Sequence, residues 1–357
     1  MHIPDGYLSP ETCAALYAAA APFWYVALRR VRRMLNTRVV PTLSLFAALS
    51  FVIMMFNLPL PGGTTGHAIG VGIAAIILGP WASIITISVA LLIQAVFFGD
   101  GGVTAFGANS LNMAVVGSLV ASGVYRLLSA RAPLGSTRRV VAAAVAGYAA
   151  INAAALCAGV EFGIQPRFFH DAAGAPLYAP YPLSVAVPAM LIGHLTLAGL
   201  AEMFITAGVV AYLQRTDSAL LRLNTRATAN SVEVARQSIW GAARPLWLAL
   251  AALLILTPLG LLAAGTAWGE WGPQDFSDAQ ARARIASASG NQAPPAQAPA
   301  GLERLSHLWS APMPDYAPPF LKSAAFGYLM SALFGAGLVI LFFLLLGRLA
   351  RAARGVG

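Results

Sequence analysis

Long apolar runs broken by short polar segments dominate this chain. The runs cover residues 12–28, 39–57, 68–98, 105–128, 140–161, 183–213, 246–265 and 323–346. A membrane-spanning helix needs about 20 predominantly apolar residues. The run 68–98 carries no Asp, Glu, Lys or Arg, and Gly79-Pro80-Trp81 interrupts it. Pro and Gly punctuate helices, so this run predicts two passes, the first of them short. The pattern as a whole predicts an all-α polytopic membrane protein. A seven-helix module occupies residues 1–213, and a two-helix hairpin with a long connection, 266–322, follows within residues 245–357. No repeat of fixed period is visible.

Composition agrees with the pattern. Hydrophobic residues make up 58% of the chain and charged residues 10%, against about 25% charged in a soluble domain. A soluble enzyme, a disulfide-stapled secreted module and an outer-membrane barrel are excluded. The net charge of +9 raises nucleic acid as a partner, but 17 of the 22 basic residues fall in four clusters, 29–38, 126–139, 215–244 and 348–354. These flank apolar runs and are not interleaved with aromatic side chains as on a nucleic-acid surface. They read as cytoplasmic topology signals, with the lipid bilayer as partner and no nucleic acid.

Parity fixes the passes. With two passes in 68–98, all four basic clusters share the cytoplasmic face, and ten of the 13 acids fall on the other. The amino terminus is then extracytoplasmic, the carboxy terminus cytoplasmic, and residues 214–244 form a basic cytoplasmic linker. The setting is the bacterial inner membrane. Arg29, Arg30, Arg32 and Arg33 follow the first apolar run instead of preceding it, unlike a cleaved signal. Cys13 and Cys157 have neither metal-ligand spacing nor a disulfide framework. No G-x-x-x-x-G-K-[ST] motif occurs, so ATP-driven transport would take its ATPase from another chain.

The chemistry begins at Met1-His2. A terminal amine, the amide nitrogen of residue 2 and a His2 imidazole can close linked chelate rings on one ion, provided the amide loses its proton. Three nitrogens then lie in a plane with a fourth corner open, and square-planar nitrogen sites favour Cu(II) or Ni(II). His67 is the other His within the first 160 residues and shares the predicted outer face. Its loop carries Gly62, Gly63 and Gly66. The bland alternatives are an interfacial His2 and a His67 that bonds a loop carbonyl. Asp5 shapes the Pro4-Asp5-Gly6 turn or supports a ligand imidazole.

Three segments carry a resemblance: Met1-His2-Ile3-Pro4-Asp5-Gly6-Tyr7-Leu8-Ser9-Pro10, Pro61-Gly62-Gly63-Thr64-Thr65-Gly66-His67, and Phe98-Gly99-Asp100-Gly101-Gly102-Val103-Thr104-Ala105-Phe106-Gly107-Ala108-Asn109. They resemble the CbiM/NikM family, the substrate-binding membrane components of nickel and cobalt energy-coupling-factor transporters. The tail resembles the NikN-like, PDGLE-type component through residues 257–272 and 311–316. Its naming motif stands here as Pro299-Ala300-Gly301-Leu302-Glu303, with Ala300 in place of Asp. The resemblance implies a fused protein that takes up Ni(II), or alternatively Co(II). The implied ligands are the Met1 amine, the His2 amide and imidazole, and the His67 imidazole. The implied partners are a membrane scaffold, the T or Q component, and a cytoplasmic ATPase, the O component. No enzymatic activity and no cofactor are implied for this chain.

Weaker signals remain. Asp100 reads as an outer turn or as a cation-attracting group. Asn109 and Asn112 bond either the site loops or neighbouring helices. His194 and Glu202 are intramembrane ionisable groups, which are costly and often functional; Glu202 reads as a helix-packing or scaffold contact. His170 and Asp171 read as solvated. Ala14, Ala15, Ala18 and Ala19 form a small-residue stripe. A self-sufficient secondary transporter needs coupling carboxylates in mid-membrane, and Glu202 is its one clear candidate. A membrane metalloenzyme needs an open coordination position, which four planar nitrogens do not leave.

Overall fold

A computed structural model describes residues 1–34, 39–216, 221 and 231–355. Helix α1 (Pro10–Met34) opens behind Ser9, whose hydroxyl accepts the Thr12 amide at 3.1 Å in the manner of an N-cap. Helix α2 (Val39–Met54) leads into a small antiparallel hairpin, β1 (Leu58–Leu60) and β2 (Thr64–Gly66), with Leu58 opposite Gly66. Helix α3 (Val71–Leu78) has eight residues, about 12 Å of helix and too short to span a bilayer by itself. The break expected at Gly79-Pro80 is present. Gly79 adopts φ 84° and ψ 163°, a conformation that needs the missing Cβ. Pro80 then opens α4 (Pro80–Ile93) at a first-turn position where no amide donor is required.

A π turn extends α4 to Phe98. After the loop 99–105, α5 (Phe106–Asn109), a π segment (Ser110–Val116) and α6 (Gly117–Leu128) form one long rod. Helix α7 (Thr137–Phe168) buries Ala142, Ala146, Ala150, Ala154 and Ala158, small residues that let neighbouring helices approach closely. Helices α8 (Leu183–Gly193) and α9 (Gly199–Thr216) are joined through a π segment kinked at Thr196. The tail contributes α10 (Ser231–Leu256), short helices α11 (Ala279–Ala288) and α12 (Ala300–Leu305), and α13 (Ala324–Gly355). Of the expected linker 214–244, residues 217–220 and 222–230 lie outside the described residues, and α10 already begins at Ser231.

Among the described residues, six helices are long and apolar enough to cross a membrane: Pro80–Phe98, Phe106–Leu128, Thr137–Phe168, Leu183–Thr216, Arg244–Leu262 and Ala324–Ala350; Val40–Met54 is a shorter apolar helix. Pro80–Phe98 is mostly buried within the protein, whereas Leu127, Phe204, Leu248, Ile255, Leu262 and Leu341 face outward. The protein is therefore a helical, polytopic membrane protein. On α1 the stripe Ala14, Ala15, Ala18 and Ala19 is exposed, while Cys13, Ala20 and Ala27 turn inward.

The tail packs on α2 through Gly335 against Phe51 and through the Tyr328 hydroxyl, which donates to the Met55 carbonyl at 2.7 Å. Its long connection lies against one end of the first module. Ala267 bridges Thr65, the Gly301 amide donates to the Leu177 carbonyl (2.7 Å) and Trp309 Nε1 donates to the Val96 carbonyl (2.8 Å). At that end the amino-terminal segment, the hairpin and the loop 99–105 converge.

Candidate metal centre

Met1, His2 and His67 are 3%, 1% and 8% exposed, so the chain begins inside the protein. The His2 and His67 rings lie 5.1 Å apart between centroids, tilted by 51°. The Met1 amine donates to Glu270 Oε1 at 3.3 Å. The three expected residues thus meet at one buried point.

Each is held from several directions. Asn109 clamps the backbone of Ile3: its Oδ1 accepts the Ile3 amide (2.8 Å) and its Nδ2 donates to the Ile3 carbonyl (3.0 Å). The Gly102 amide donates to that same carbonyl at 2.8 Å. A Cβ on Gly102 would sit 2.4 Å from the Asp5 amide nitrogen, so only glycine permits this approach. The Asp5 carboxylate accepts the amides of Val103 and Thr104 (3.1 and 2.7 Å) and the Thr104 hydroxyl. Asp5 therefore welds residues 1–6 to the loop 99–105 instead of facing an imidazole.

His67 is positioned from the other side. It sits in a buried non-helical segment just before α3, and the bilayer tolerates such backbone only when protein covers it. Glu202, fully buried on α9, accepts the amides of Ile69, Gly70 and Gly72 at 2.8, 2.8 and 2.9 Å. It caps the first turn of α3 and fixes the strand of chain that presents His67. Hydrogen bonding between His67 Nδ1 and the Ala68 carbonyl (3.0 Å) places the proton on Nδ1 and leaves the lone pair on Nε2. The loop-carbonyl alternative for His67 is therefore present, and it holds the ring with Nε2 unprotonated. Burial, with the positive charges of His2 and the Met1 amine, pushes the His67 imidazole down to about 3, so it is neutral at physiological pH.

Sequence reasoning underrated Asp100. Its carboxylate meets His2 Nδ1, and its other oxygen accepts the Tyr316 hydroxyl (2.5 Å) and Gln94 Nε2 (3.3 Å). Burial drives the Asp100 carboxyl upward, but the charge and hydrogen bond of His2, the nearby His67 and the Tyr316 hydroxyl outweigh it and hold Asp100 below the usual carboxylate range. The expected chelate needs His2 Nδ1, yet here Asp100 holds that atom, and Nε2 is buried with no hydrogen-bond partner among the described residues. Rotation of the ring about Cβ–Cγ turns Nδ1 away from Asp100, and the orphaned Nε2 shows that the present arrangement leaves imidazole chemistry unsatisfied.

Glu270 and Tyr316 were also missed, because more than 200 residues separate Glu270 from Met1 and Tyr316 from Asp100. The signal available was an acid between two Trp-Gly pairs, Trp268-Gly269-Glu270-Trp271-Gly272. Burial pushes the Glu270 carboxyl up, against the opposing pull of the Met1 amine. Other candidates fall elsewhere. Asn112 joins helices by donating to Glu161 at 2.7 Å, and His170 is bonded within its own exposed loop. His194 is buried, with Nδ1 on the Met190 carbonyl at 2.7 Å. Gly301 and Leu302 of the tail motif pack against Leu177 and Gly6, while Ala300 is exposed. The missing carboxylate at Ala300 therefore removes nothing from the centre.

The fold and this centre define a class: a multi-pass helical membrane protein with a buried cluster of imidazole and amine nitrogens. Comparison with known proteins gives the family. Residues 2–220 match the cobalt uptake substrate-specific transmembrane region, CbiM, and residues 244–352 match the PDGLE domain. The chain is 61% identical to the fused nickel transport protein NikMN of Rhodobacter capsulatus over 340 residues, 95% of each chain. It is 42% identical to the probable fused nickel transport protein LarMN of Lactiplantibacillus plantarum, covering 98% of this chain and 97% of that one. A crystal structure of a transition metal transporter aligns with 63% of this chain and 99% of its own at 50% identity, with TM-score 0.58. The chain belongs to the CbiM family, with a PDGLE domain fused behind it, and is a component of transition-metal transport.

Proposed function

We propose that this protein captures Ni(II) at the extracytoplasmic face for ATP-driven uptake, with Co(II) as the alternative cargo. The ion is held by the Met1 amine, the His2 amide and imidazole, and the His67 Nε2. Loading turns the His2 ring so that Nδ1 leaves Asp100 and closes the chelate with the amine. Residues 1–213 form the binding module, 214–244 a cytoplasmic linker and 245–357 the accessory unit. A T or Q scaffold and an O-type ATPase supply the drive. The observation that carries this reading is the buried meeting of Met1, His2 and His67, whose ring centroids lie 5.1 Å apart. Planar nitrogen ligation favours nickel, and so do the names of the two fused relatives.

The decisive experiment adds one or two residues before Met1 and leaves every side chain intact. Nickel binding by calorimetry and uptake in cells are expected to vanish while membrane insertion stays normal. His2→Ala and His67→Ala are expected to behave likewise, and His170→Ala to behave as the parent. Retained binding by the extended chain would overturn the proposal. Parallel titrations with Ni(II) and Co(II) decide the cargo. Uptake that persists without an ATPase partner would instead favour the secondary transporter.

A further inference from the structure

The ligands Met1, His2 and His67 are buried, so a cation needs a way in. A cleft of about 140 Å³ lies between the amino-terminal segment, the loop 99–102 and the tail. A water in the liquid takes up about 30 Å³, so the cleft holds several. Its lining includes the exposed Gly99 and Trp309 together with Glu270. Glu270 is 23% exposed, and its Oε1 reaches the Met1 amine at 3.3 Å. Asp5 also lines the cleft, but its carboxylate is spent on Val103 and Thr104. Asp100 faces His2, Tyr316 and Gln94 and does not line it. Of the two carboxylates in the lining, Glu270 is therefore the one that touches a proposed ligand.

We infer that this cleft is the access passage for the divalent cation, and that Glu270 of the PDGLE domain is the relay carboxylate that draws the ion from the cleft onto the chelating nitrogens. The inference rests on the proposed four-nitrogen site and gives the fused tail a role in that site's kinetics. A carboxylate lining a low-dielectric cleft concentrates cations there and raises the association rate. It guides the ion inward without being a permanent ligand, so its removal acts on association more than on dissociation.

The test uses the full-length protein in detergent and Ni(II) alone as probe, followed by stopped-flow association and chelator-chase dissociation. Glu270→Gln is expected to slow association about tenfold or more and to leave dissociation within about twofold. Glu270→Asp is expected to restore part of the rate. A merely structural Glu270 would move dissociation as well and would not respond to the shorter carboxylate. Independently, Ser306→Cys on the cleft wall is labelled to completion, verified by mass, with a bulky thiol reagent. The parent chain, with its native Cys13 and Cys157, passes through the same labelling. Each protein is compared with itself before labelling, and only the labelled Ser306→Cys protein is expected to load slowly. Unchanged association in Glu270→Gln, or unimpeded loading after labelling, overturns the passage. In that event, equilibrium binding that still requires His2 and His67 would leave the four-nitrogen reading standing.

Discussion

At the scale of single residues, the centre depends on where protons sit. His67 stays near pH 3, so its imidazole is neutral from pH 8 to 5.5. Its folded value lies below the ordinary 6.5. The unfolded chain therefore takes up a proton that the folded chain refuses, and stability present above about pH 6.5 is lost as pH falls toward 3. His67→Asn is expected to flatten the dependence of the melting temperature on pH across that window. Nickel affinity is expected to fall from pH 8 to 5.5 as well, because ligation by the His2 amide nitrogen releases its proton; calorimetric affinity that is flat across that window would contradict the four-nitrogen site. Asp100 holds His2 Nδ1 in the unloaded protein and must release it on loading, so Asp100→Asn, which weakens that competing bond by roughly 1 kcal/mol, is expected to raise nickel affinity about fivefold in calorimetry. Weaker binding by Asp100→Asn would mean that Asp100 supports the imidazole instead of competing for it. Met1, His2 and His67 could be named as candidates from the sequence because the donor chemistry of an X-His terminus is local. Asp100, Glu270 and Tyr316 resisted because a carboxylate or hydroxyl in a loop has no local signature of what faces it.

At the scale of elements, the interruptions matter more than the helices. The π turns at Gln94–Phe98 and Ser110–Val116 flank the loop that receives Ile3 and Asp5, and such turns recur at functional sites. The short α3 leaves its leading strand of chain non-helical, and Glu202 holds the exposed amides that result. Glu202→Gln replaces an accepting oxygen by an amide group that cannot accept, so at least one buried amide loses a charge-assisted bond worth roughly 1.5–3 kcal/mol. A lower melting temperature is expected together with weaker nickel binding, since the His67 segment loosens; a melting curve identical to the parent's would show that the cap is dispensable. The apolar runs and the Gly79-Pro80 break were legible because period and punctuation are written residue by residue. The hairpin at Leu58–Leu60 and Thr64–Gly66 was not, being too short and proline-rich to show a strand pattern.

At the scale of the whole molecule, the tail is part of the centre. Tyr7 donates to the Trp271 carbonyl at 2.7 Å, Tyr316 bonds Asp100, and Glu270 bonds Met1. The orientation proposed for the membrane places this end outside. Ser310→Cys, on the exposed part of the long connection, is expected to react with an impermeant thiol reagent in whole cells. Ala352→Cys, exposed near the end of α13, is expected to react only after permeabilisation. The reverse pattern would invert the topology and with it the side from which metal is captured.

The amino-acid order alone determined that this chain lives in a bilayer as a set of helices, because burial of apolar runs depends on composition along the chain. It also pointed to the candidate nitrogen donors, because their chemistry lies in one dipeptide and one histidine. Only the tertiary structure decided which carboxylates surround those donors and that the tail covers them. Those contacts join residues hundreds of positions apart, and packing, not local pattern, selects them.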